Sequence, residues 1–223
     1  MRIVSVAAAV LALSMPLAGQ APGGRMKADP DIKAAGGAAL PAGWQARLDE
    51  SYAKIENLKF VTMGTGFHST TGPAAIFYQP TTTAKGNYQV KATFTQTKLS
   101  AHPEAFGLFI GGANLQGDGQ KYTYFEVRQD GQFLIKRRIG AQTPTIRDWT
   151  DNKAVTKPDA KGKYTNTLSI VVGKDTVKFL INGTEVASQP RNAVDAEGIA
   201  GLRINHNLDV HIDGFAVQAG TSH

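Results

Sequence analysis

The sequence predicts an all-β antiparallel fold, a sandwich or a barrel. Short stretches of alternating apolar and polar residues recur along most of it. Gly, Asp and Asn punctuate them at regular spacing. Two of the intervening turns have a chemistry that fixes the register of their flanking strands.

The clearest strand is 87 to 96, where Tyr88, Val90, Ala92 and Phe94 alternate with Gln89, Lys91, Thr93 and Thr95, one buried and one wet face at period two. Further strands are expected at 75 to 79, 106 to 111, 122 to 128, 133 to 139, 167 to 173, 177 to 181, 198 to 205 and 208 to 217. The polar stretch 44 to 57 carries Leu48, Tyr52 and Ile55 near helical spacing but no strong cap, so a short helix and a loop are equally consistent with it. Asn182-Gly183 supplies the two positive-φ residues of a type I′ hairpin, which would set Phe179 opposite Val186. At Gln129-Asp130-Gly131 a two-residue loop would mix apolar and charged residues on one face. A three-residue loop with Gly131 in the left-handed region instead pairs Val127 with Phe133 and Phe125 with Ile135. The other face then displays Tyr122, Tyr124, Glu126 and Arg128 beside Leu134, Lys136 and Arg138, on an outward-facing surface.

Outside the strands, Arg2, the apolar run from Ile3 to Leu13 and the small residues to Ala21 read as a signal peptide over 1 to 21, so an exported protein, periplasmic or extracellular, is expected. No segment approaches the roughly 20 apolar residues of a membrane span. Residues 22 to 43, rich in Pro, Gly and Ala, read as a flexible linker, with one β-sandwich domain over 44 to 218 and a disordered tail at 219 to 223. With no cysteine, neither disulfides nor a cysteine-borne lipid enters the account, and stability rests on the core. The formal charge of +6 loses one unit with Arg2 and is spread thinly, unlike the dense basic runs of nucleic-acid binders. No phosphate loop, dinucleotide fingerprint or zinc cluster occurs. Nothing in the sequence assigns an oligomeric state.

The order of Leu-Pro-Ala-Gly-Trp at 40 to 44, Ala-Phe-Gly-Leu-Phe-Ile-Gly-Gly at 105 to 112, Tyr-Phe-Glu-Val-Arg-Gln-Asp-Gly-Gln-Phe at 124 to 133, Phe-Leu-Ile-Asn-Gly-Thr at 179 to 184 and Leu-Asp-Val-His-Ile-Asp-Gly-Phe at 208 to 215 resembles the concanavalin A-like lectin/glucanase superfamily. Within it the resemblance is to secreted bacterial laminin-G-like and 3-keto-disaccharide hydrolase-like (DUF1080-type) domains. It implies a jelly roll of two curved sheets, often binding sugars on the concave face. The Glu-x-Asp-x-Glu strand of the glucanase branch is absent, because Glu126 is flanked on its own face by Tyr124 and Arg128. Gly-Leu-Phe-Ile-Gly-Gly stands where the hydrolase branch has an Asn-Ser-Gly-Ile-type strand. Catalytic residues therefore do not carry over.

A sugar ligand is recognised by aromatic faces beside charged hydrogen-bonding groups. On that chemistry the candidate binding residues are Tyr124, Glu126, Arg128, Lys136, Arg138 and, from a loop, Trp149. The bland alternatives are an exposed Glu126–Arg128 ion pair and a Trp149 buried under its loop. Asp209, His211 and Asp213 alternate onto one strand face, where a trio of oxygen and nitrogen ligands would suit calcium; the plainer reading is a solvated face and no cofactor. His206 and Asn207 read as turn residues, and His68 and His102 as loop residues without a triad partner. The expected function is a non-catalytic carbohydrate-interacting module with a glycan partner. A glycoside hydrolase or lyase and a structural or protein-interaction domain are the alternatives.

Overall fold

The computed structural model describes residues 30–37 and 39–220. The signal-peptide segment lies outside them. Among the described residues the strands are β1 (Gln45–Leu48), β2 (Leu58–Met63), β3 (Gly66–Thr71), β4 (Ala75–Ala84), β5 (Tyr88–Gln96), β6 (Ala105–Ala113), β7 (Lys121–Arg128), β8 (Gln132–Ile139), β9 (Thr145–Asp151), β10 (Tyr164–Val172), β11 (Thr176–Ile181), β12 (Thr184–Pro190), β13 (Gly198–Ile204) and β14 (Asp209–Ala219). They form two seven-stranded sheets, a front sheet in the order β1-β4-β13-β6-β7-β8-β9 and a back sheet in the order β12-β11-β10-β5-β14-β3-β2. Neighbouring strands are antiparallel.

The two sheets pack face to face because each alternating strand has an apolar face to bury. Phe106, Leu108, Phe125, Val127, Phe133 and Ile135 of the front sheet meet Val90, Phe94, Leu168, Ile170, Phe179 and Ile212 of the back sheet in one core. Aromatic pairs bridge the layers: Phe60 and Phe77 stack at 4.4 Å between ring centroids, Phe94 and Phe106 at 5.2 Å, and Phe125 meets Phe179 edge-on at 5.4 Å. Burial on this scale supplies the stability that disulfides would otherwise provide.

The β7–β8 register is the one the turn chemistry predicts: Val127 faces Phe133, Phe125 faces Ile135, and Gly131 has φ 93°. At the second hairpin the turn is as expected, with Asn182 at φ 50°, Gly183 at φ 83° and Ile181 opposite Thr184. The register beyond it differs. A bulge between Phe179 and Leu180 sets Phe179 opposite Ala187 rather than Val186, because the ladder gains an extra residue there.

Four other expectations are corrected. The 44 to 57 stretch forms strand β1 and a short 3-10 turn at Ile55–Asn57, not a regular helix. His68, expected in a loop, lies on β3. Within the expected linker, Ala34 is buried, Leu40 packs against the core, and the Ile32 N–H donates to Asn207 Oδ1 at 2.8 Å, so this part lies against the sandwich. Ala219, expected in the tail, pairs with Tyr88, and the Gly220 N–H donates to the Asn87 carbonyl at 2.8 Å. Residues 221–223 lie outside the described ones.

Candidate functional site

The outer face of the front sheet carries the residues singled out from sequence, arranged in two rows that run across the strands. One row reads Arg47 (β1), Ile76 (β4), Arg203 (β13), Gly107 (β6), Glu126 (β7) and Leu134 (β8). The next reads Gln45, Tyr78, Gly201, Phe109, Tyr124 and Lys136. Gly107 explains how two charged groups on non-adjacent strands meet. It places no side chain between Arg203 and Glu126, and a Cβ there would lie 2.8 Å from Glu126 Cα and nearer still to the Phe125 carbonyl.

This face is not the open surface expected. Tyr122, Tyr124 and Glu126 are 1%, 4% and 1% exposed, and Ile76, Tyr78, Phe109, Leu115, Tyr122, Tyr124 and Leu134 form a second apolar cluster on it. Leu115 comes from the loop after β6, held over the sheet by Arg47 Nη1 donating to its carbonyl at 3.1 Å and by Gln116 Nε2 donating to the Tyr78 hydroxyl at 2.7 Å. An alternating strand indicates which residues share a face; it does not say whether a distant loop returns to cover that face.

At the centre sits Arg203, itself buried. Its Nη1 and Nη2 donate to Asp49 Oδ1 and Oδ2 at 2.9 and 2.6 Å, a bidentate fork. Nη1 also lies 3.3 Å from the Tyr122 hydroxyl, and the guanidinium carbon stands 4.7 Å from the Tyr124 ring centroid. Nε approaches Glu126 Oε1 at 3.3 Å, a charge contact in which neither atom has a hydrogen-bond partner. One guanidinium thus serves two carboxylates unequally. Burial by itself would raise the Asp49 pKa, but the charge and hydrogen bonds of Arg203, with Arg138 and Arg47 further off, hold it below the usual carboxylate range. Glu126 is pushed up to about 7, first by burial and then by the charges of Asp49 and Glu104, against the pull of Arg203. The pKa values of the two acids are therefore driven apart, Asp49 downward and Glu126 upward.

At the far edge, Arg128 lies over Trp149 with its guanidinium carbon 4.1 Å from the ring centroid. Its Nε donates to Asp130 Oδ1 at 2.9 Å, and its Nη2 donates to Gln132 Oε1. The expected Glu126–Arg128 ion pair does not form, because each residue has another partner. Trp149 is not in a loop: it stands half-buried on β9, packed against the outer apolar cluster. Lys136 is half-buried opposite Tyr124, and Arg138, opposite Tyr122, donates from Nε to the Gly140 carbonyl at 2.7 Å. All six predicted binding residues thus lie on one sheet face, with Arg128 and Arg138 towards opposite ends of it, and Arg47, Asp49 and Arg203 join them there. Arg203 had a visible signal, a lone cation between Leu202 and Ile204 in an otherwise apolar strand.

On the back sheet Asp209, His211 and Asp213 share a face of β14, as the alternation implies. They are engaged separately. His68 Nε2 stands 3.3 Å from Asp209 Oδ1, which also accepts from the Thr97 hydroxyl; His211 Nε2 stands 3.3 Å from Asp213 Oδ1. Among the described residues no group of three His, Asp or Glu is arranged to hold a metal ion. His206 and Asn207 both lie in a turn, as expected, Asn207 with φ 56°, and His206 Nδ1 lies 3.2 Å from Glu104 Oε2.

No protein-family model matches the sequence, and no curated protein matches it. Solved structures do. The carbohydrate binding module CBM66 from Bacillus subtilis aligns with a TM-score of 0.60 at 11% identity, over 79% of this chain and 96% of that one. A protein of unknown function with a galectin-like fold, also from Bacillus subtilis, gives 0.57 at 13% identity over 81% and 90%. The endo-beta-1,3-glucanase from Pyrococcus furiosus gives 0.51 at 12% identity over 81% and 89%. At such identities the likeness is one of fold, and the fold is the galectin-like, concanavalin A-like two-sheet sandwich.

Proposed function

We propose that this chain is an exported carbohydrate-interacting module of the laminin-G-like, 3-keto-disaccharide hydrolase-like kind, which binds a glycan on the outer face of its front sheet without turning it over. The observation that carries the reading is the Arg128 guanidinium lying over the half-buried Trp149 at 4.1 Å, on the same sheet face as the half-buried Lys136 and Arg138 further along β8. An indole held flat by a guanidinium offers a rigid surface for the C–H face of a sugar ring, while the neighbouring cations reach its hydroxyl or acidic oxygens. One of the fold neighbours is named a carbohydrate binding module and another an endo-beta-1,3-glucanase, which accords with this reading.

Non-catalytic binding is the better account because a catalytic carboxyl must come within hydrogen-bond reach of its substrate. Glu126 is 1% exposed, and Asp49 has both oxygens on Arg203. The opposed pKa shifts of Glu126 and Asp49 favour a second reading, a glycoside hydrolase with Glu126 as proton donor. A glycan array probed with calcium and with chelator, followed by product analysis of every hit, separates the two. Binding without products, weakened about tenfold or more by Trp149→Ala and Arg128→Ala, supports the module. Products that vanish with Glu126→Gln establish the enzyme. No glycan binding from a folded protein removes both and leaves the protein-interaction role.

A further inference from the structure

Three cations of the same face, Arg47, Lys136 and Arg138, have no ion-pair partner among the described residues. Arg203, Arg138 and Arg47 all lie within Coulombic range of Asp49, reaching it from β13, β8 and β1, but only Arg203 contacts it. Arg47 donates from Nη1 to the Leu115 carbonyl, and Arg138 from Nε to the Gly140 carbonyl; both acceptors are neutral. Three acids at the margins of the face have other partners. Asp130 pairs with Arg128, Asp151 accepts from Gln132, and Glu104 pairs with His206. Glu126 is fully buried, in an environment that favours its neutral form.

Arg47 and Arg138 are both half-buried, and the partner that answers a guanidinium best is a planar anion with two acceptor oxygens. Lys136 adds a point charge in the row, between Tyr124 of β7 and Thr145 of the edge strand β9.

We infer that the ligand of this face is an acidic glycan, its uronate carboxylates or sulfate esters held by Arg47, Lys136 and Arg138 while the Arg128–Trp149 pair supports a sugar ring. This rests on the carbohydrate reading above and narrows it to a substrate class.

The test is titration calorimetry of the full chain against polygalacturonate and its methyl ester, which share a backbone and differ in charge, and against dextran sulfate and dextran. Polygalacturonate binding at least about tenfold tighter than its ester identifies a carboxylate ligand; the same margin for dextran sulfate over dextran identifies a sulfate. Arg138→Gln and Lys136→Gln each weaken the acidic ligand about tenfold, raised salt weakens it further, and Arg138→Lys recovers part of the loss. Among the described residues the Lys136 side chain makes no hydrogen bond or ion pair, so its variant reads binding even if an arginine variant unfolds. An ester bound as tightly as the acid overturns the inference and leaves the carbohydrate reading standing. Polyglutamate or DNA bound as tightly as the acidic glycan also overturns it, since charge alone then suffices. Absence of binding to any polysaccharide, neutral or acidic, overturns both.

Discussion

Replacing Glu126 by glutamine removes the one carboxyl in the core of the front-sheet face that is raised towards neutrality, and the consequence can be worked out. Glu126 lies between Gly107 on β6 and Leu134 on β8, with Arg203 reaching it from β13, Asp49 behind that arginine, and Glu104 ahead of β6. An unfolded glutamate titrates near 4.5 and the folded one at about 7. The folded state therefore holds a proton over a range in which the unfolded state has released it. The stability this contributes is fully present below about 4.5 and is lost as the pH rises through about 7. The difference corresponds to roughly 3 kcal/mol between the acidic and alkaline ends, or a Tm change of about 6–12 °C for a domain of this size. Glutamine resembles the protonated acid in shape and cannot ionise. Glu126→Gln should thus match the parent in acid, within about 1 kcal/mol, and exceed it by roughly 3 kcal/mol in mild alkali. Urea unfolding of both proteins at a series of pH values measures the difference curve, in which other titrating groups cancel. Parallel stability profiles for the two proteins across neutrality would refute the assignment of a buried, raised carboxyl.

Other outcomes follow from single contacts. Arg203→Met strands Asp49 and Glu126 without their shared cation and should destabilise by about 3–5 kcal/mol, read by urea midpoint; a loss under about 1 kcal/mol would mean that Arg203 does not organise the face. Asn182→Ala removes a side chain that accepts from Thr167 N–H, donates to the Ala154 carbonyl and sits at φ 50°, and should cost about 1–2 kcal/mol by thermal unfolding. Trp149→Ala, on an edge strand and only half-buried, should abolish most glycan affinity in calorimetry while lowering Tm by only a few degrees. If the proposed face takes an acidic ligand, its affinity should strengthen as the pH falls through about 7, because neutralising Glu126 leaves the face more positive.

The sequence discloses the sandwich where period two and turn chemistry agree. Tyr88 to Phe94 alternates cleanly, and Gly131 admits only one register that keeps Phe125 and Val127 together, so both appear in the structure as expected. Strands β2 and β3 were not legible. Leu58 to Met63 and Gly66 to Thr71 carry few consecutive alternations, and their pairing is with each other and with β14, more than a hundred residues away for β3. The candidate site was half legible for the same reason. Tyr124, Glu126, Lys136 and Arg138 share a face by local alternation alone. Arg47, Asp49 and Arg203 reach that face through pairings of β1 with β4 and β4 with β13; the lone cation of an apolar strand marks Arg203, but no local pattern places any of the three beside Glu126. Burial of the face depends on Leu115, whose loop gives no sign in the sequence of where it will settle.

The placement of the last two strands has a consequence for how the chain reaches its native state. β13 lies between β4 and β6 in the front sheet, and β14 lies between β5 and β3 in the back sheet. Without residues 198 to 219 the front sheet falls into β1-β4 and β6-β7-β8-β9, and the back sheet into β12-β11-β10-β5 and β3-β2. Each half would expose paired edges and an unshielded apolar face. Both layers are therefore completed by one contiguous segment near the end of the described residues. Its contacts with β3 and β4 span most of the domain, a topology that delays closure and slows folding. A ribosome-bound chain that stops short of β13 should remain protease-sensitive throughout, and protection should arrive in a single step once β14 is free to insert.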